Sequence, residues 1–102
     1  MNYVAGIDVG SLCTKVVILD SEDNIVAHSI IRRGSVYKSA AEDAIKKAME
    51  KAGLELRDIS YVLTTGYGRR RVSFSNSEVT EISCHARGIN HVFTEVRVLI
   101  DI

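Results

Sequence analysis

Asp8, Gly10, Ser11, Thr14 and Lys15 crowd into one short stretch, GIDVGSLCTK, and together they are groups that can handle phosphate. Gly10 has no Cβ, so the backbone can bend sharply there and a ligand can approach its N–H groups. Ser11 and Thr14 add hydroxyl donors, and Lys15 adds an ammonium. Backbone N–H groups, hydroxyls and one cation around a tight turn make a cradle for phosphate oxygens. Asp8 would hold a magnesium ion through water, because Mg²⁺ takes one or two carboxylates and keeps much of its hydration shell. A plain hairpin whose glycine serves only the turn shows the same local pattern, since short glycine motifs also match by chance.

Such groups need a frame. Tyr3–Val9 and Val16–Leu19 are apolar, β-branched and too short for helices, so they read as two strands joined through Gly10-Ser11. A polar turn, Ser21-Glu22-Asp23-Asn24, leads into a third strand at Ile25–Ile31, and short turns of this kind imply an antiparallel meander. His28, Ser29 and Arg32-Arg33 suit that third strand to a sheet edge, where charge discourages further pairing. A helix is expected from Ser35 or Val36 to Gly53, with Ala41, Ile45, Ala48, Met49 and Ala52 on one face. Acid-before-base pairs, Glu42–Lys46 and Asp43–Lys47, support it, and Gly53 stands where a helix commonly ends.

Ile59–Thr65 reads as a fourth strand, apolar enough for burial on both faces. A helix between two strands implies a crossover, so this strand is expected to run parallel to an earlier one. It empties into TTGYGR, Thr64–Arg69, whose Gly66 and Gly68 permit a tight turn. A second helix follows over about Val79 to Phe93, and Val96–Ile102 reads as a fifth strand. The string βββαβαβ gives an α/β, ribonuclease-H-like half-domain: a mixed five-stranded sheet in order 3-2-1-4-5 with helices on its faces. In that frame Asp8, the Thr64–Arg69 loop and Asp101 converge on one edge, because loops after parallel strands are where open sheets bind ligands.

Bulk properties exclude several classes. The 102 residues form one domain at most, and 46% hydrophobic with 25% charged residues is ordinary globular composition. Lys+Arg and Asp+Glu balance at 13 each, so no global basic field argues for nucleic acid or an anionic membrane. No apolar run approaches the ~18 residues of a membrane span, and no basic-then-apolar leader suggests secretion. Cys13 and Cys84 lie far apart without a CxxC pair, which suits a reducing cytoplasm and argues for no metal site.

GIDVGSLCTKVVILD resembles the first phosphate motif of the acetate-and-sugar-kinase, heat-shock-chaperone and actin superfamily. With TTGYGR, TEISCHARGI (Thr80–Ile89) and VLIDI (Val98–Ile102), it resembles the ATP-dependent activators of 2-hydroxyacyl-CoA dehydratases and the ATPase subunits of benzoyl-CoA reductase. The resemblance spans the whole chain in order. It implies that residues 1–102 correspond to the amino-terminal, actin-like subdomain, ending before a Gly-Gly second phosphate loop. It further implies MgATP as the bound cofactor, with Asp8 near Mg²⁺ and Gly10, Ser11, Thr14 and Lys15 around the β/γ-phosphates. By the same resemblance Asp101 would coordinate Mg²⁺ or orient the attacking water, and Glu81 would polarise water.

Each carboxylate has a plainer alternative: strand-end hydrogen bonding for Asp8 and Asp101, and a favourable first-turn charge for Glu81. The family's iron–sulfur cluster belongs to a full-length homodimer whose ligands fall downstream, so Cys13 and Cys84 are not expected to ligate it. The expected partners are ATP/ADP and an acyl-CoA dehydratase or reductase component that receives an electron, in the cytoplasm, with no nucleic acid or membrane involved. The fragment alone is expected to be catalytically inactive. Two other classes start similarly. A sugar-type kinase shares the first phosphate turn, and a Holliday-junction-resolvase-like nuclease would use Asp8, Glu81 and Asp101 as a two-metal cluster. Lys15 and the neutral charge weigh against the nuclease.

Overall fold

A computed structural model describes residues 3–10, 12–32, 39–66, 69 and 72–79 of the chain. Four strands carry the architecture: β1 (Tyr3–Val9), β2 (Thr14–Leu19), β3 (Ile25–Ile31) and β4 (Ile59–Thr65). One helix, α1 (Ser39–Ala52), joins β3 to β4 through a short 3₁₀ turn at Leu56–Asp58. A two-residue strand, β5 (Ser77–Glu78), completes a five-stranded sheet in the order β3-β2-β1-β4-β5. β1 and β2 are antiparallel, as are β2 and β3, whereas β4 runs parallel to β1 and β5 parallel to β4. The expected order 3-2-1-4-5 and the mixed sheet are therefore present, with Ser77–Glu78 in the fifth place.

Strand alternation decides what is buried. Side chains alternate faces along a strand, and Ala5, Ile7 and Val9 of β1 join Thr14, Val16 and Ile18 of β2 and Val62 and Thr64 of β4 in being buried on one side. Against them α1 lays Ala41, Ala44, Ile45 and Ala48. Three alanines let the helix axis come close to the sheet, so Ile7, Val16 and Ile18 are almost fully covered. Burying an aliphatic side chain of that size contributes about 1.5–3 kcal/mol. Two polar ties fix the helix to the edge strand: the Ser29 hydroxyl donates to the Ala44 carbonyl, and Lys51 Nζ donates to the His28 carbonyl at 3.0 Å.

Gly53 ends α1 as its position in the sequence predicts. Its φ of +69° is left-handed. Its N–H donates to Glu50 (3.3 Å), and that of Leu54 donates to Met49 (2.9 Å), which closes the last turn onto its own carbonyls.

Two expectations are corrected. β4 is buried on the α1 face only, at Val62 and Thr64, whereas on the other face Leu63 and Thr65 are half-buried and Tyr61 is 44% exposed. The helix lies on one side of the sheet, and among the described residues no second helix covers the other. The sequence also showed no strand before Val79, yet Ser77–Glu78 lies beside β4. Two residues are too few for a periodic signal. What holds them is local bonding: the Asn76 side chain accepts from the Val62 N–H at 2.7 Å, and its own N–H donates to Val62 at 2.8 Å. The expected second helix, the strand at 96–102 and the start of α1 before residue 39 lie outside the described residues.

Candidate phosphate and metal site

β1 ends at Val9, and the chain reverses through Gly10–Cys13 into β2. The Gly10 N–H donates to the Cys13 carbonyl at 2.9 Å across this turn. A Cβ on Gly10 would lie 2.9 Å from that carbonyl oxygen, so glycine is required for the turn to close. The hairpin puts Asp8 directly opposite Lys15 in the antiparallel register. The parallel pairing with β4 puts Asp8 opposite Thr65 as well. Adjacent strands lie about 4.8 Å apart. Asp8 therefore has an ammonium-bearing neighbour on one side and a hydroxyl-bearing one on the other, all three on the face away from α1.

These three residues line a hollow of about 290 Å³ with Gly6, Ile7, Val17, Leu63 and Thr64. Asp8 is half-buried and Lys15 exposed. Among the described residues the Asp8 carboxylate makes no hydrogen bond and no ion pair, not even with Lys15 across the ladder. The Thr65 hydroxyl is buried and has no hydrogen-bond partner. Leaving such a group unpaired costs about 1–3 kcal/mol.

The loop after β4 is packed against the carboxylate. Gly66 has φ +91°, and a Cβ there would sit 2.5 Å from Asp8 Oδ1 and 2.5 Å from the Val9 carbonyl oxygen. The Gly66 carbonyl accepts from the Arg69 N–H (3.2 Å) and from Arg69 Nη1 (3.0 Å). Arg69 is thus engaged with its own loop. Beneath it, Thr64 Oγ1 lies 2.9 Å from Ser75 Oγ and 3.2 Å from the Arg69 carbonyl, tying the loop to the strand.

Of the residues singled out by sequence, the structure brings Asp8, Lys15 and Gly66 together and sets Gly10 at the adjoining turn. It does not bring the Thr14 hydroxyl to them. One residue from Lys15, Thr14 falls on the opposite face by strand alternation and is fully buried beside the helix. Ser11, Gly68, Glu81 and Asp101 lie outside the described residues, as do Cys84 and His85. Thr65 is the residue that sequence reasoning missed. Its signal was the parallel β1–β4 pairing, which implies a β4 neighbour for Asp8 once the register is known.

The donor set fits a magnesium phosphate. Asp8, Lys15 and Thr65 line a common hollow, the carboxylate and the ammonium have no partner among the described residues, and hydrated Mg²⁺ needs few protein ligands. Cys13 is the single cysteine among the described residues, and a cluster is held by about four such ligands.

Residues 5–102 match the model of the BadF/BadG/BcrA/BcrD ATPase family. The chain belongs to that family. It is 44% identical to the activator of lactoyl-CoA dehydratase of Anaerotignum propionicum over 98% of its own length and 38% of that protein's. Among solved structures, the activator of the 2-hydroxyisocaproyl-CoA dehydratase from Clostridium difficile with bound ADPNP superposes with a TM-score of 0.86 and 40% identity. That match covers 98% of this chain and 37% of the other. Component A of the Acidaminococcus fermentans (R)-2-hydroxyglutaryl-CoA dehydratase superposes at 0.84 with 34% identity, over 94% of this chain and 37% of that one. The chain thus spans under two-fifths of the length of these family members.

Proposed function

We propose that this chain is one wall of the nucleotide site of an ATP-dependent activator that drives an electron into a 2-hydroxyacyl-CoA dehydratase or a related reductase. The observation that carries the reading is Asp8: a half-buried carboxylate with no partner among the described residues, in spite of a lysine directly across the ladder. An aspartate kept for structure would take that lysine. One kept for a metal must stay free. The named functions of the family members above support the dehydratase side of the proposal.

Asp8 would hold Mg²⁺ through water, and Lys15 would neutralise charge on the phosphates while its stem stays beside Val17. When bound, Mg²⁺ supplies charge neutralisation at the phosphoryl oxygens. The Gly10 turn and the Gly66 loop hold the carboxylate and the backbone still, so phosphoryl transfer would be favoured by positioning and electrostatics. Asp101 and Glu81 are proposed to complete the site, Asp101 at the metal or the attacking water. The adenosine side and the cluster of a homodimer would come from sequence beyond these residues. The 102-residue chain should therefore bind MgATP weakly and turn it over negligibly.

Amide-shift NMR of the chain titrated with MgATP tests this. Shifts at residues 8–15 and 63–66, absent with the Lys15→Met variant, are expected. No shifts with the wild-type chain at millimolar nucleotide would sink the reading.

A further inference from the structure

Two threonines stand side by side at the end of β4 and are treated in opposite ways. Thr64 faces the helix side, and its hydroxyl meets Ser75 Oγ at 2.9 Å, the Arg69 carbonyl at 3.2 Å and the Ser77 carbonyl at 3.4 Å. Thr65 faces the Asp8 side, and its hydroxyl is buried with no partner. Valine has nearly the same shape, is at least as well suited to a strand, and would bury no polar atom. Thr14 leaves a second buried hydroxyl without a partner beneath the helix, so the fold tolerates such a group, and packing by itself gives no reason for one at position 65. Its neighbours supply one. Thr65 is the register partner of Asp8 and lines the same hollow as Asp8 and Lys15.

We propose that the Thr65 hydroxyl is a further ligand-binding group of the Asp8 site, donating its hydrogen bond to an oxygen of a bound magnesium nucleotide. The inference rests on the nucleotide reading above and adds a residue to it. A phosphate or a metal-held water is an acceptor, and Asp8 and Lys15 already bring opposite charges to the two sides of such a ligand. Thr65 would contribute a neutral donor beside the carboxylate, on the strand opposite Lys15. Hydrogen bonds to charged acceptors are the strong ones, so losing this one should weaken binding about tenfold.

The test uses the whole 102-residue chain as wild type, Thr65→Val, Thr65→Ser and Thr65→Ala, with MgATP as the probe. Amide-shift titrations give the dissociation constant, and thermal unfolding without nucleotide gives Tm. Thr65→Val is expected to raise the dissociation constant about tenfold while Tm stays level or rises, because an unpaired buried hydroxyl has been removed. Thr65→Ser, which keeps the donor, should bind within about twofold of wild type. A purely structural threonine would show the reverse, with Tm falling and affinity unmoved in the valine variant. Should Thr65→Val fail to fold, the serine and alanine variants decide: equal affinities overturn the proposal, and a tenfold weaker alanine variant supports it. Wild-type binding with an unchanged valine variant removes Thr65 from the site and leaves the nucleotide reading standing. No wild-type binding removes both.

Discussion

Asp8 and Asp20 sit beside successive hairpin turns of the same meander, and the chain uses them differently. Asp20 is saturated. Its Oδ1 accepts from the N–H groups of Glu22 (2.8 Å) and Asn24 (2.9 Å), and its Oδ2 accepts from Asn24 Nδ2 at 3.2 Å. Those backbone bonds, with Asn24 first and Glu22 second, hold its carboxyl below the ordinary carboxylate value. They also support Asp23 at a left-handed φ of 64°. Asp8 has no such side-chain bonds among the described residues, although both residues are half-buried. A carboxylate that builds a turn spends its lone pairs on the backbone, whereas one that serves a ligand is shielded from its neighbours. Gly66 packs against Asp8 Oδ1 without a hydrogen bond, which accords with the proposed role of Asp8.

The contrast can be broken at four points. Gly66→Ala should have the largest effect, because its Cβ would lie 2.5 Å from both Asp8 Oδ1 and the Val9 carbonyl, on a backbone at φ +91°. A loss of about 3 kcal/mol or more is expected, seen as a fall in Tm of more than about 10 °C. An unchanged Tm would mean that the loop does not press on Asp8. Asp8→Asn should come next and act on binding alone: MgATP affinity falls at least about tenfold while Tm moves by no more than about 2 °C. A large drop in Tm would recast Asp8 as a structural residue like Asp20.

Asn76→Ala removes the side-chain acceptor of the Val62 N–H, which lies at 2.7 Å in a part-buried setting. The expected cost is about 1–2 kcal/mol, read from urea unfolding at constant m. Asp20→Ala should have the smallest effect, and its pH dependence carries the information. The folded state depresses this carboxyl, so its stabilisation is present above the unfolded-state value and is lost as pH falls through the lower folded value. Wild type should therefore exceed Asp20→Ala in Tm near about pH 7, and the gap should close in strong acid. A gap that persists there would show that the turn does not depend on the charge.

Much of this was legible before any coordinates. Strand periodicity located β1 to β4, the alanine face located α1, and the glycine at 53 marked the helix end. The meander followed by a crossover leaves few topologies, so the sheet order could be derived from connection lengths. Other features are set at longer range. That Thr14 turns away from Lys15 needs only strand alternation, yet a motif read as a string treats them as one cradle. Thr65 was placed near Asp8 only as part of the Thr64–Arg69 loop, because its own proposed role depends on which residue of β1 it faces, with more than fifty residues between them. β5 is too short to carry a pattern and exists through the Asn76 side chain and the edge of β4.

By itself, then, the sequence determined β1 to β4, α1, the order of those strands across the sheet and the chemical character of the β1–β2 turn, because these follow from local propensity, periodicity and loop length. Tertiary structure alone decided which side chains share a face with Asp8 and which polar groups go unpaired there. Register and loop packing are properties of strand pairs, and no single segment encodes them.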